Sequence, residues 1–168
     1  MILYHGSVLP VSQSIIIRSD IGRDFGFAFY VTEIKEQAER WALRKSRIEH
    51  RNGRLNAKAI VSLYEFDAVA ARKTLKWLDF PEADMAWLEL VLSCRGNKAY
   101  HHDQDIVSGK IADDNVGATV TFVQQGIMRK EDALERLKFQ KINSQIAFCT
   151  EHALRFLAFR EYYQVEEE

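Results

Sequence analysis

Proline and cysteine are scarce in this chain. Its 168 residues include two prolines, Pro10 and Pro81, and two cysteines, Cys94 and Cys149. No Pro/Gly/Ser-rich stretch, repeat or low-complexity segment divides the sequence, which implies one domain over residues 1–168. The cysteines lie far apart and neither belongs to a C-x-x-C pair, so the expectation is two buried thiols in a reducing compartment. An excess of charge is also missing. Twenty-three Lys and Arg against twenty-four Asp and Glu leave a net charge of −1. That argues against a general binder of nucleic acid or membrane surfaces, while a local basic patch stays open. No apolar run reaches membrane-spanning length, and "MILYHGSVLP" lacks the basic and apolar regions of a secretory signal; the expected address is the cytoplasm. The phosphate-loop, dinucleotide-fingerprint, H-E-x-x-H and G-x-S-x-G motifs are absent.

What is present is an ordinary globular mixture, 47% apolar and 28% charged. It can build a core without a metal or disulfide staple. Periodicity predicts strands at "MILYHGS", "GFAFYVT", "AKAIVSLYEFD", "RKTLKWL", "DIVSGKI" and "SQIAFC", with "SIIIR" a strand or extended loop and "REYYQV" a closing strand. Helices are predicted at "EIKEQAERWALRKSRIEHR" with Thr32 as N-cap, at "EADMAWLELVLSCR" opened by Pro81, at "RKEDALERLK", and at "EHALRFLAF" capped by Thr150. "NGR" at 52–54 reads as a turn, and "TVTFVQQG" is ambiguous. Strands and helices mix without regular alternation, which favours an α+β fold over a doubly wound sheet.

Four stretches are candidates for chemistry. In "DFGFAFYVTE", residues 24–33, adjacent Phe29 and Tyr30 must point to opposite faces of a strand, so Tyr30 is either a core residue or faces a pocket. In "YHGS", residues 4–7, a strand-end histidine precedes a glycine whose main-chain groups are open to a ligand; the competing reading is a structural histidine. "HHDQD" at 101–105 is a polar loop before it is a metal site, because adjacent strand histidines point apart. "DIVSGKIADD", residues 105–114, is either a hairpin with acidic turn residues or a functional loop.

The order of these motifs resembles the ADP-ribosyltransferase superfamily, in the His–Tyr–third-residue branch that includes poly-ADP-ribose polymerases and diphtheria-type toxins. Within it the chain is most similar to an uncharacterised bacterial family with "LYHGS", "DFG-x-GFY-x-T", "QA-x-x-WA", "DIV-x-G-x-x-ADD" and "QI-x-F-x-T" segments. All five occur here in order, from residue 3 to about residue 150, with Ala28 in place of the "GFY" glycine. The resemblance implies split mixed β-sheets around an NAD-binding cleft with flanking helices. It implies that His5 hydrogen-bonds the adenosine-side ribose and that Gly6 holds the nicotinamide carboxamide through its backbone. Tyr30 would stack on the nicotinamide ring and Trp41 would supply a second aromatic. Ser7 joins the cofactor-binding set. Gln145 stands at the third position, where the polymerases carry glutamate; an amide can hydrogen-bond the ribose but has no charge. His5, Tyr30 and Gln145 form the implied catalytic set.

The function implied is NAD-dependent mono-ADP-ribosyl transfer to a macromolecule, protein or nucleic acid, with release of nicotinamide and no metal. Its setting would be a bacterial toxin of toxin–antitoxin type, neutralised by a partner protein, or a modification factor. The alternatives are an NAD glycohydrolase and a non-catalytic module that binds NAD or ADP-ribose.

Overall fold

The computed structural model describes residues 1–18, 23–97, 99–112, 115–138 and 142–166. They form an α+β domain of two sheets and six helices among the described residues. The first sheet is antiparallel, in the order β1 (Ile2–Ser7), β3 (Ile60–Phe66), β7 (Leu157–Gln164). The second is mixed, in the order β2 (Phe29–Val31), β6 (Ile142–Phe148), β5 (Ile106–Ala112), β4 (Trp77–Phe80), with β4 and β5 parallel. Tyr4 and Thr32 exchange main-chain hydrogen bonds of 2.8 and 2.9 Å, joining β1 to the end of β2 and hence one sheet to the other.

Alternation along the strands sorts the core. Phe29, Val31, Ile106, Ile146 and Phe148 pack with Leu3, Tyr64 and Phe66 of the first sheet. Val107 and Ala147 lie on the opposite face of the second sheet, against Trp87, Leu88 and Val91 of α3 (Met85–Gly96). Val120 of α4 (Asn115–Gln124) and Ala133 and Leu137 of α5 (Lys130–Lys138) complete that cluster. Burying each large apolar side chain contributes roughly 1.5–3 kcal/mol, so the two faces of this sheet dominate the fold's stability. The long helix α1 (Lys35–Arg51) lies on the outer face of the first sheet, where Ala38 and Ala42 meet Ala59 and Val61.

Several sequence-based boundaries shift. "SIIIR" contributes only an isolated bridge, Ile17 to Ala28. The strand expected over "GFAFYVT" narrows to Phe29–Val31, because residues 24–27 turn, with Gly26 at φ 79°. Arg72–Thr74 end a helix, α2 (Ala68–Thr74), whose N-cap Asp67 accepts from the Ala70 N–H; the strand starts only at Trp77. Pro81 does not open α3, since Asp84 caps it through the Trp87 N–H. Thr32 accepts from the Ile34 N–H in a local turn, and Ile34 takes the N-cap position of α1 without a side-chain bond. The ambiguous "TVTFVQQG" belongs mainly to α4. Thr150 does cap α6 (Glu151–Leu154), but that helix stops at Leu154 and the chain from Leu157 is strand.

Candidate functional site

The site predicted from the sequence gathers at the end of β1, and Gly6 explains how α1 comes so close to it. A Cβ built on Gly6 would lie 2.2 Å from the Ala38 carbonyl oxygen and 2.9 Å from the Ala42 nitrogen. Only glycine allows the helix backbone to rest on the strand at that depth. The Gly6 carbonyl, left open to a ligand in the sequence reading, accepts a hydrogen bond of 2.9 Å from Lys45 Nζ. The Ser7 hydroxyl donates to the Leu9 carbonyl.

His5 points the other way, into the space between the sheets. Its ring stacks on Phe29 at a centroid distance of 4.7 Å. Its Nδ1 lies 2.7 Å from the Tyr30 carbonyl oxygen, so Nδ1 carries the proton and Nε2 is left as an acceptor. Burial, helped by the nearby Lys45 charge, pushes its pKa down to about 4, so the imidazole is neutral near pH 7.

Phe29 and Tyr30 do diverge. Phe29 is fully buried between the sheets, and Tyr30 lies half-buried on the opposite face. The Tyr30 hydroxyl donates to the Gly26 carbonyl at 2.6 Å and accepts from the Phe25 N–H at 3.2 Å. Burial, reinforced by the Asp24 charge, raises its pKa well above the ordinary tyrosine value, so the phenol keeps its proton. With His5 on its carbonyl and the 25–26 turn on its hydroxyl, the residue is fixed at both ends. The Arg23 guanidinium lies 5.8 Å from the centre of its ring.

Gln145 reaches the same face by register. Tyr30 pairs with Ala147 across β2 and β6, and Gln145 is two residues earlier on β6, opposite Gly109 of β5. Its amide is partly exposed and makes no side-chain hydrogen bond among the described residues. The neighbouring Ser144 is clamped by Gln37, whose amide donates to the Ser144 carbonyl and accepts from its N–H, both at 3.1 Å. Gln37, Trp41 and Lys45 recur at every fourth position of α1 and therefore share one stripe. That stripe runs from Ser144 on β6 to Gly6 on β1. Trp41 is 40% exposed, with Lys45 Nζ 5.8 Å from its ring centre.

The structure thus joins His5 to Tyr30, Gly6 to Lys45 and Lys45 to Trp41, and it puts Gln145 on the face of Tyr30. It shows no ring contact between Trp41 and Tyr30. Sequence reasoning missed Arg23, over the Tyr30 ring, and Arg44 and Lys45, beside the Trp41 ring. Lys45 is signalled only by its spacing from Gln37 and Trp41; Arg23 carries no signal in a chain with 23 basic residues. Chemically the set offers neutral hydrogen-bonding groups, an aromatic face and positive charge. It contains no carboxylate general base.

The other candidate stretches have structural roles. Asp105 accepts from the Lys76 N–H at 3.0 Å and from the Thr150 hydroxyl at 2.6 Å, tying the starts of β4 and β5 to α6. Asp113 and Asp114 lie outside the described residues. His102 Nε2 meets the Phe25 carbonyl at 2.9 Å and His101 lies beside Phe27. Cys94 is buried, whereas Cys149 is only half-buried; burial raises both thiols to about 12. A separate cleft of about 420 Å³ opens on the face of the second sheet opposite Tyr30, lined by Glu33, Arg72, Trp77, Asp79, Ser108 and Ser144 among others. None of His5, Gly6, Ser7, Tyr30, Trp41 or Gln145 lines it.

Comparison with known proteins identifies the family. A family model described as "Protein of unknown function (DUF3990)" matches residues 1–159, and the chain belongs to that family. No curated protein and no solved structure matches the chain.

Proposed function

We propose that this DUF3990 member is an NAD-dependent mono-ADP-ribosyltransferase, acting as a bacterial toxin or modification factor on a macromolecular acceptor. The observation that carries the reading is the Tyr30 anchorage. The ring is held from its carbonyl by His5 and from its hydroxyl by residues 25–26, with the Gln145 amide on the same face of the sheet. An aromatic face fixed at both ends suits a planar, cationic nicotinamide ring, which gains from cation–π attraction in the ground state.

The reaction breaks the bond between the nicotinamide nitrogen and the ribose C1′. The electron pair leaves with nicotinamide, which departs neutral, and positive charge develops on the ribose. No proton needs to reach the leaving group, so the absence of a carboxylic acid from the set is no obstacle to this first step. The Gln145 side-chain oxygen would accept from the ribose 2′-hydroxyl and hold the sugar as charge forms. His5 Nε2, an acceptor once Nδ1 is committed to Tyr30, would take a ribose hydroxyl of the adenosine half. Tyr30 and Trp41 would flank the ring, and fixing both halves of the dinucleotide supplies the positioning that the transfer needs. The acceptor nucleophile then attacks C1′ and releases its proton.

The neutral amide at 145 also favours a second reading, a module that binds NAD or ADP-ribose without cleaving it, because a carboxylate there would stabilise the ribose cation more strongly. One experiment separates the readings. NAD⁺ labelled in its adenylate half is incubated with the protein and a bacterial lysate, and products are split by protease and nuclease treatment. Transfer puts label into macromolecules with equimolar nicotinamide, hydrolysis gives free ADP-ribose, and binding without release supports the module.

A further inference from the structure

We propose that Gln37 is a positioning residue for Gln145: its side chain stands in for a missing strand residue beside Ser144 and so fixes the part of β6 that presents the Gln145 amide. The catalytic meaning of that position rests on the NAD reading above; the clamp itself rests on its two hydrogen bonds.

The ladder between β2 and β6 is short. Its register pairs Phe29 with Phe148, Tyr30 with Ala147 and Val31 with Ile146. Continued by two residues, the same register would set Glu33 against Ser144. The chain leaves the ladder before that point. Thr32 exchanges main-chain hydrogen bonds with Tyr4 of the first sheet, and Ile34 already holds the N-cap position of α1. In an antiparallel ladder every second residue exchanges both its N–H and its C=O bond with the residue opposite. Ser144 therefore arrives beyond the end of β2 with a donor and an acceptor to place.

Gln37 supplies both partners. Its Nε2 donates to the Ser144 carbonyl and its Oε1 accepts from the Ser144 N–H, each at 3.1 Å. A carboxamide carries a donor and an acceptor on one planar group, as a peptide unit does. The helix thus extends the ladder by one side chain where the strand has ended. On its other side β6 is paired with β5, with Ser144 opposite Lys110 and Gln145 opposite Gly109. Ser144 is held between a strand and a helix. Successive side chains of a strand point to opposite faces, so a twist at Ser144 turns the Gln145 amide with it.

The same turn of α1 also bears on the other half of the candidate site. Ala38, the next residue, rests its carbonyl against β1: a Cβ on Gly6 would come within 2.2 Å of that oxygen. His5 and Gly6 belong to the first sheet and Gln145 to the second. Residues 37 and 38 therefore touch both, and together they set the spacing of β1 and β6 at this end. A misplacement of about 1 Å can cost about 100-fold in rate, so loss of the clamp should appear in turnover.

The test is a double-variant cycle on the full chain, reading kcat and KM for nicotinamide release from NAD⁺. Gln37→Met keeps the length of the side chain and its helix propensity but removes both hydrogen bonds. It should lower kcat about 10–100-fold and leave KM within a few-fold. The double variant with Gln145→Ala should be no slower than Gln145→Ala alone, because a residue that acts through Gln145 then has nothing left to position. Losses that multiply, a loss carried by KM alone, or wild-type turnover per folded molecule in Gln37→Met overturns the proposal. Amide hydrogen exchange separates the proposal from the reading it rests on. In Gln37→Met the Ser144 N–H should exchange about tenfold faster or more, with protection in β1 and β3 unchanged. If wild type releases no nicotinamide while Ser144 exchange rises in this way, the clamp stands and the NAD reading falls. Unchanged exchange at Ser144 overturns the clamp whatever the turnover.

Discussion

The His5 imidazole and the Tyr30 main-chain carbonyl meet at 2.7 Å, and this one hydrogen bond links the first sheet to the strand that carries the candidate stacking ring. It also ties stability to pH. The folded pKa of His5 is about 4 against an ordinary 6.5, so between those values the unfolded chain binds more protons. Stability is fully present above pH 6.5 and falls as the pH drops towards 4, by up to about 3 kcal/mol. His5→Asn keeps an N–H donor for Tyr30 and cannot titrate. Urea midpoints at pH 7 and pH 4.5 should therefore fall more steeply for wild type than for His5→Asn. Parallel losses would show that His5 is not the group responsible.

Gly6→Ala should destabilise the protein by roughly 1–3 kcal/mol or more, because the added methyl meets the main chain of α1 and not a movable side chain. Ala38→Gly should fail to rescue it, since the clash is with the Ala38 carbonyl oxygen. Chemical denaturation of the single and double variants checks this; full rescue would place the conflict elsewhere.

Asp105→Ala removes the acceptor of two hydrogen bonds and should cost about 1–3 kcal/mol. Nicotinamide release per folded molecule should stay at the wild-type value, because Asp105 ties strand starts together and does not approach Tyr30. A selective loss of turnover with normal stability would move the "DIVSG" segment into the site.

Much of the frame is legible in the sequence where one period dominates. The alternation over residues 60–66 and the helical stripe over 35–51 both survive folding nearly intact. Reading fails where two elements meet without a break. Residues 72–78 read as one short strand, yet Asp67 starts a helix upstream and its last turn covers Arg72–Thr74. Phe156 and Phe159 continue the helical pattern of 151–154, but packing against the Tyr64 face of β3 draws this stretch into a strand. In the site, the "YHGS" and "DFG" stretches are visible because glycine and aromatics are distinctive at those places. The meaning of Gly6 is not, since the reason for it is a helix 32 residues later in the chain.

The most direct test of the central claim is the rate of nicotinamide release from NAD⁺ by wild type and by Gln145→Ala, read beside NAD⁺ affinity. If Gln145 grips the ribose as charge develops, the alanine variant should lose turnover about 100-fold while its Kd changes only a few-fold. Gln145→Glu should keep or raise cleavage if the carboxylate can face the ribose. Wild type that releases no nicotinamide, or an alanine variant that turns over at the wild-type rate, would contradict the account.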